Sequence, residues 1–108
     1  MNEQQVVRAL SGLAHSVRLK VFRALVVSGP SGLTPGVMQE GLAIPGTTLS
    51  FHLRELAAAG LVTVERSSRN QIYRAAFDSF NDVLSYLTEN CCAGATCAIA
   101  PSSAARVC

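Results

Sequence analysis

The stretch TPGVMQEGLAIPGTTLSFHLRELAAAG, residues 34–60, decides the fold of this 108-residue chain. Thr34 followed by Pro35 is typical of a helix start, because threonine caps the first turn and proline suits the first helical position. Glycines and a proline in residues 41–46 predict a tight turn, after which residues 47–59 form another helix. The stretch therefore predicts helix, turn, helix. The side chains expected to point inward are Val37, Met38, Leu42, Leu49, Leu53, Leu56 and Ala57.

Two further helices are predicted before this stretch, at residues 4–14 and 16–28, the second with Ser16 as its N-cap. Both are amphipathic, so each needs a surface to pack against. The apolar stripes are Val6, Val7, Leu10 and Leu13 on the first helix and Leu19, Phe22, Leu25 and Val26 on the second. The side chains expected to stay in solvent on the second helix are Arg18, Lys20 and Arg23.

After Gly60, a helix-ending residue, the hydrophobic period changes from 3.6 to 2. Residues 61–65 and 71–75 are β-rich, and the polar, basic residues 66–70 between them predict a hairpin. A last helix is expected from about Asp78, a possible N-cap, with an apolar stripe of Phe80, Val83, Leu84, Leu87 and Cys91. The pattern predicts a mainly α (α+β) winged helix-turn-helix domain over residues 1–92, followed by a flexible Cys-containing tail over residues 93–108.

Composition limits the function classes. A chain with 49% hydrophobic residues can form one modest core, and no run approaches the roughly 18 apolar residues that span a bilayer. With a polar N-terminus as well, we expect a cytoplasmic protein without a membrane partner. The net charge of +2 does not by itself indicate nucleic-acid binding. A DNA-binding function must therefore rest on where the charges lie.

The polar face of the helix at residues 47–59 is rich in groups that suit DNA. Hydroxyls can bond phosphates or base edges, Arg54 can take a guanine edge or a phosphate, and Phe51 can touch a thymine methyl. The basic hairpin tip would pass along a flanking backbone or minor groove. The predicted DNA-binding residues are Thr47, Thr48, Ser50, Phe51, Arg54, Arg66, Arg69 and Asn70. His52 borders the leucine face and is expected to be packed or to touch a phosphate rather than to bind a metal, and His15 is expected to be structural.

The motifs LAHSVRLKVFRAL at residues 13–25, LSFHLREL at 49–56 and AGLV at 59–62 resemble the ArsR/SmtB family of metal-responsive repressors. The resemblance covers about residues 5–90. It implies a homodimer formed by the first and last helices, with a recognition helix in each of two adjacent major grooves of operator DNA. It also implies that an inducer lifts repression.

All four cysteines lie in the last 18 residues, where a disulfide would tie together only a tail, so metal binding or redox chemistry is favoured. Arsenic sensors of the family often carry Cys-x-Cys in the first helix of the helix-turn-helix, but residues 33–42 contain no cysteine. Zinc sensors use histidine and carboxylates on the last helix, but residues 78–90 contain no histidine, so no zinc site of that type is expected. The remaining cysteines resemble a subset of arsenic-responsive members with thiols at the end of that helix.

Three thiolates satisfy trivalent arsenic, and the expected ligands are Cys91, Cys92 and Cys97. Adjacent helical residues point about 100° apart, so Cys91 and Cys92 must lie where the helix frays, and Gly94 lets the chain return with Cys97. Cys108 is expected to take no part. The predicted function is a repressor released by arsenite or antimonite.

Other readings of the cysteines stay open. They include another thiophilic metal, a disulfide switch and an incidental cysteine tail. A metal-buffering or chaperone module would not need the winged-helix part. An enzyme is not expected, because apart from Arg106 no basic residue near the cysteines would lower a thiol pKa, and no catalytic set appears.

Overall fold

The computed structural model describes residues 1–94, and a winged helix-turn-helix is found there as predicted. No helix in this part of the chain combines the length and the apolar character needed to cross a membrane. Short 3₁₀ turns follow the second and the last helix. The elements in chain order are α1 Glu3–Leu13, α2 Ser16–Ser28, α3 Pro35–Leu42, α4 Gly46–Ala58, β1 Val62–Ser67, β2 Asn70–Ala75 and α5 Phe77–Thr88.

The helix starts agree only in part with the sequence prediction. Thr34 caps α3 as expected, its Oγ1 accepting the Val37 N–H at 3.5 Å. The prediction of Ser16 as the cap of α2 is wrong: His15 is the N-cap, and its Nδ1 accepts a hydrogen bond from a backbone N–H at 3.1 Å. Asp78 is not a cap either, because α5 begins one residue earlier without a side-chain cap. Asp78 instead lies in the first turn, where its negative charge interacts favourably with the helix dipole.

The core lies between the helices and the base of the hairpin, and three residues predicted to point inward on α2, α3 and α4 are outside it. Leu19 is 49% exposed and Val37 is 56% exposed. Leu19 is exposed because the buried face of α2 is formed by Val21, Phe22 and Leu25. This face is rotated about the helix axis relative to the predicted apolar stripe. Ala57, expected on the leucine face of α4, is also exposed. The buried apolar residues are Val6, Ala9, Val21, Phe22, Leu25, Met38, Leu49, Leu53, Leu56, Leu61, Val62, Ala75 and Val83.

The hairpin, which we call the wing, is antiparallel and has a shorter tip than predicted. Ser67 pairs with Asn70, so only Ser68 and Arg69 form the turn, and Arg66 belongs to β1. The strands are therefore one or two residues longer at the tip end than the pattern of apolar residues suggested.

The base of the wing is fixed to the segment before α3. Leu33 forms two backbone hydrogen bonds with Tyr73, at 2.9 and 2.8 Å. The approach requires Gly32, whose φ is +68° and where a Cβ would lie 2.6 Å from the Tyr73 carbonyl oxygen. Arg74 adds an ion pair with Glu65 at 2.7 Å and donates to a backbone carbonyl before α3 at 2.7 Å. The wing is thereby held against the helix-turn-helix.

Helices α1 and α5 pack on each other but leave apolar side chains in solvent. Val6 and Val83 are buried as predicted, whereas Val7 is 56%, Leu10 40% and Leu87 55% exposed. The solvent-facing surfaces of α1 and α5 therefore contain several large apolar side chains. The predicted boundary at residue 92 stays a prediction, since residues 95–108 lie outside the part of the chain that the structure describes.

Candidate nucleic-acid interface

Helix α4 has a buried leucine face and an exposed polar face. Leu49, Leu53 and Leu56 are at most 1% exposed, which fixes the rotation of the helix about its axis. The opposite side is therefore turned to solvent, and Phe51 is held there with 46% of its surface exposed. The predicted DNA-binding residues of this helix are all exposed: Thr47, Thr48, Ser50, Phe51 and Arg54.

The wing contributes the second group of predicted residues. Arg66, Arg69 and Asn70 are all exposed, with Arg69 in the turn itself. A polar cleft of about 390 Å³ separates them from the start of α3, where Thr34 and Gly36 form the other wall. Guanidinium groups beside an open polar cleft are suited to bind phosphate oxygens.

Beneath α4 lies a group of side chains that the sequence analysis missed, and we call it the Arg18 cluster: His15, Arg18, Phe51, His52 and Glu55. Arg18 Nε donates to His52 Nδ1 at 3.1 Å, and a terminal nitrogen of Arg18 lies 3.8 Å from Glu55 Oε1. The guanidinium carbon lies 5.7 Å from the centroid of the Phe51 ring, and the His15 and His52 rings are 4.6 Å apart. Arg18 was predicted to stay in solvent, which is wrong, because its side chain is only 16% exposed.

Of the two roles expected for His52, the structure shows the packed one: the residue is 5% exposed and accepts a hydrogen bond from Arg18. Burial lowers the pKa of His52 from its ordinary value, and the nearby His15 and Arg18 lower it further, against an opposing effect of Glu55. The imidazole is therefore held neutral with Nδ1 free to accept. Within residues 1–94, no group of three or more His, Cys, Asp or Glu side chains could hold a metal ion.

The first two cysteines lie just after the last helix. Helix α5 ends at Thr88, short of the predicted position of Cys91 on its stripe, and the 3₁₀ turn Cys91–Gly94 follows. Cys92 is exposed and has a φ of +57°, outside the helical region. Partial burial and the adjacent Cys92 raise the pKa of the Cys91 thiol. Cys97 and Cys108 are outside the described residues, so the three-thiol site stays a prediction.

Comparisons with known proteins agree on the class of protein. Residues 13–65 match a family model described as a helix-turn-helix domain. An uncharacterised HTH-type transcriptional regulator of Bacillus subtilis (strain 168), YceK, is 35% identical over 80 residues, which cover 74% of this chain and 76% of the relative.

Solved structures share the fold. An ArsR-like transcriptional regulator from Rhodococcus sp. RHA1 superposes with a TM-score of 0.70 at 21% identity, covering 78% of this chain and 76% of its own. The homodimeric winged helix-turn-helix DNA-binding domain Mb0332 of Mycobacterium bovis, a possible ArsR-family regulator, has a TM-score of 0.63 at 24% identity, covering 81% of each chain. The fold implied by the resemblance to the ArsR/SmtB family is thereby confirmed. The chain belongs to the helix-turn-helix transcriptional regulators, DNA-binding proteins rather than enzymes, and has the fold of the ArsR-like members.

Proposed function

We propose that this regulator is a homodimeric repressor that binds a pseudo-palindromic operator and leaves it when trivalent arsenic or antimony binds its C-terminal thiols. The DNA contacts would come from the outward face of α4 and from the wing. The observation that carries the DNA part is the division of α4, whose leucines are buried while its hydroxyls, Phe51 and Arg54 are exposed.

The dimer part rests on the apolar surface of α1 and α5. Val7, Leu10 and Leu87 are each at least 40% exposed, and covering them with a second copy would remove that surface from water. The related fold in Mycobacterium bovis is described as homodimeric. A symmetric dimer would place two copies of α4 and two wings against DNA, which suits an operator with two half-sites.

The inducer part rests on thiol chemistry. Arsenite, as As(OH)₃, reacts with thiols by forming As–S bonds and releasing one water for each bond, so protonated thiols suffice. The raised pKa of the Cys91 thiol therefore does not prevent binding near neutral pH. Cys91 and Cys92 would supply two soft ligands, and Cys97 is the proposed third.

Binding would act on DNA through α5. The Cys91–Gly94 turn begins three residues after α5 ends at Thr88, and α5 packs on α1. Ordering the thiols around arsenic would bias the packing of these two helices, which the proposed dimer shares. A coupling of about 1–3 kcal/mol is sufficient to lower operator affinity by roughly 5- to 150-fold.

A cysteine series tests the inducer. An operator is first obtained by selecting duplexes from a random pool with the wild-type protein, and release is then followed by fluorescence anisotropy with added arsenite under reducing conditions. Cys91→Ser, Cys92→Ser and Cys97→Ser should each bind DNA normally and resist arsenite, because a hydroxyl is a poor soft-metal ligand. Cys108→Ser is the matched control and should respond like the wild type.

Other outcomes separate the remaining alternatives. Release by Cd²⁺ but not by arsenite would indicate another thiophilic metal, and release by oxidant that is reversed by reductant would indicate thiol oxidation. Full arsenite response in all four variants would refute the tail site while leaving DNA binding intact.

A further inference from the structure

We propose that Arg18 is a positioning residue of the DNA interface, which locks α4 onto α2 and so sets where the outward face of α4 meets DNA. The inference deepens the proposed function and rests on α4 being the helix that contacts DNA. It concerns a side chain of α2 that lies behind α4 rather than on its outward face.

Arg18 contacts three residues of α4, which together span just over one helical turn. The contacts are the hydrogen bond to His52 at 3.1 Å, the ion pair with Glu55 at 3.8 Å and the approach to the Phe51 ring at 5.7 Å. Because one guanidinium group contacts three side chains of α4, sliding or rotating α4 would lengthen at least one of these contacts. The leucines fix which face of α4 is buried, and Arg18 adds a directional constraint that apolar packing lacks.

The chemistry of these contacts needs an arginine. The Nε–H bonds one partner while a terminal nitrogen faces another, and the planar group lies near an aromatic ring. A lysine has a single ammonium group and cannot reproduce this arrangement of donors. With its side chain only 16% exposed, Arg18 is largely withdrawn from solvent, and the neutral His52 is the acceptor it requires.

Phe51 connects the cluster to the DNA side. Its ring lies 5.7 Å from Arg18 and 5.3 Å from the His52 ring, yet the residue is 46% exposed. One part of the ring is thus held by the cluster while the rest faces solvent. Displacing Arg18 would release Phe51 from this position and disorder the surface offered to base edges.

The test compares Arg18→Gln with Arg23→Gln, which removes the same charge from an exposed position on the same helix. The probe is the duplex that the wild-type protein selects from a random pool. We expect Arg18→Gln to bind it roughly tenfold more weakly, and Arg23→Gln to bind within about twofold of the wild type. The slope of log affinity against log salt should be unchanged in Arg18→Gln, because a positioning residue touches no phosphate.

Circular dichroism would show whether Arg18→Gln has lost its fold, and further variants test the inference in that case. Arg18→Lys keeps the charge and should still bind weakly. On the other side of the contact, His52→Asn keeps an acceptor near the Nδ1 position and should retain more affinity than His52→Leu, which has none. This order would be reversed or absent if His52 acted only as a core filler.

Two results would overturn the inference: equal losses in Arg18→Gln and Arg23→Gln, which indicate a general charge effect, or a salt slope reduced by about one in Arg18→Gln, which indicates a direct phosphate contact. Full affinity in both Arg18 variants would overturn it as well. The proposed function fails separately, if the wild type selects no sequence or if Arg54→Ala binds as tightly as the wild type.

Discussion

Replacing Leu87 tests whether α5 forms the proposed dimer interface. Burying a whole leucine side chain contributes about 1.5–3 kcal/mol. Leu87 is 55% exposed in the protomer, so covering the remainder would contribute roughly half of that. A two-fold interface contains the residue twice, which gives about 2–3 kcal/mol in total. The dissociation constant of the dimer should therefore rise about 30- to 150-fold in Leu87→Ala. Leu87→Glu should be more severe, because its carboxylate would also have to be desolvated.

Sedimentation velocity over a range of protein concentrations measures this directly. Val27→Glu is the matched control, because Val27 is 75% exposed and lies on α2. We expect Leu87→Glu to sediment as a folded monomer and Val27→Glu as a dimer. A Leu87→Glu protein that dimerises like the wild type, or a monomeric Val27→Glu protein, would refute the assignment of the interface to α5.

Three further predictions follow from single sites. Arg54→Ala should weaken operator binding by about 1–3 kcal/mol without changing thermal stability, since Arg54 is exposed. In Gly12→Ala, the added Cβ would lie 2.7 Å from the Ala59 Cβ and should lower the free energy of unfolding by about 1–3 kcal/mol in thermal melts. Gly41→Ala is the control, because its added Cβ would meet nothing within 4 Å, and it should not lower the free energy of unfolding. Because the pKa of His52 is below its ordinary 6.5 in the folded state, unfolding should become easier as pH falls below about 6.5, and His52→Asn should remove that component.

The sequence was sufficient for the architecture because the elements carry strong local signals. The leucine spacing of α4, the Thr34–Pro35 start of α3 and the change to a period of 2 after Gly60 each correspond to an element in the structure. Helix ends were less reliable. His15 is the cap in place of Ser16 because an imidazole nitrogen can accept the same hydrogen bond as a hydroxyl oxygen. Histidine is not among the usual capping residues, so the sequence analysis did not consider it.

The missed features all depend on tertiary contacts. Leu19 and Arg18 are neighbours in sequence, and periodicity placed the leucine inside and the arginine outside. The structure has Leu19 49% exposed and the Arg18 side chain 16% exposed. The difference arises because His52 and Glu55, 34 and 37 positions later, offer Arg18 an acceptor and a counter-ion. A pattern confined to one helix contains no information about partners at that distance.

The same contacts explain why the small net charge gave little sign of the candidate DNA interface. The chain has 9 Lys and Arg against 7 Asp and Glu. Arg18 and Arg74 are each paired with a glutamate of the same protomer, so the charges of these two cations and two anions largely cancel each other. On the outward face of α4 and along the wing, Arg54, Arg66 and Arg69 are exposed, and the structure gives them no ion pair within residues 1–94. A nearly neutral chain can therefore present a locally cationic surface, and phosphate binding depends on that local charge.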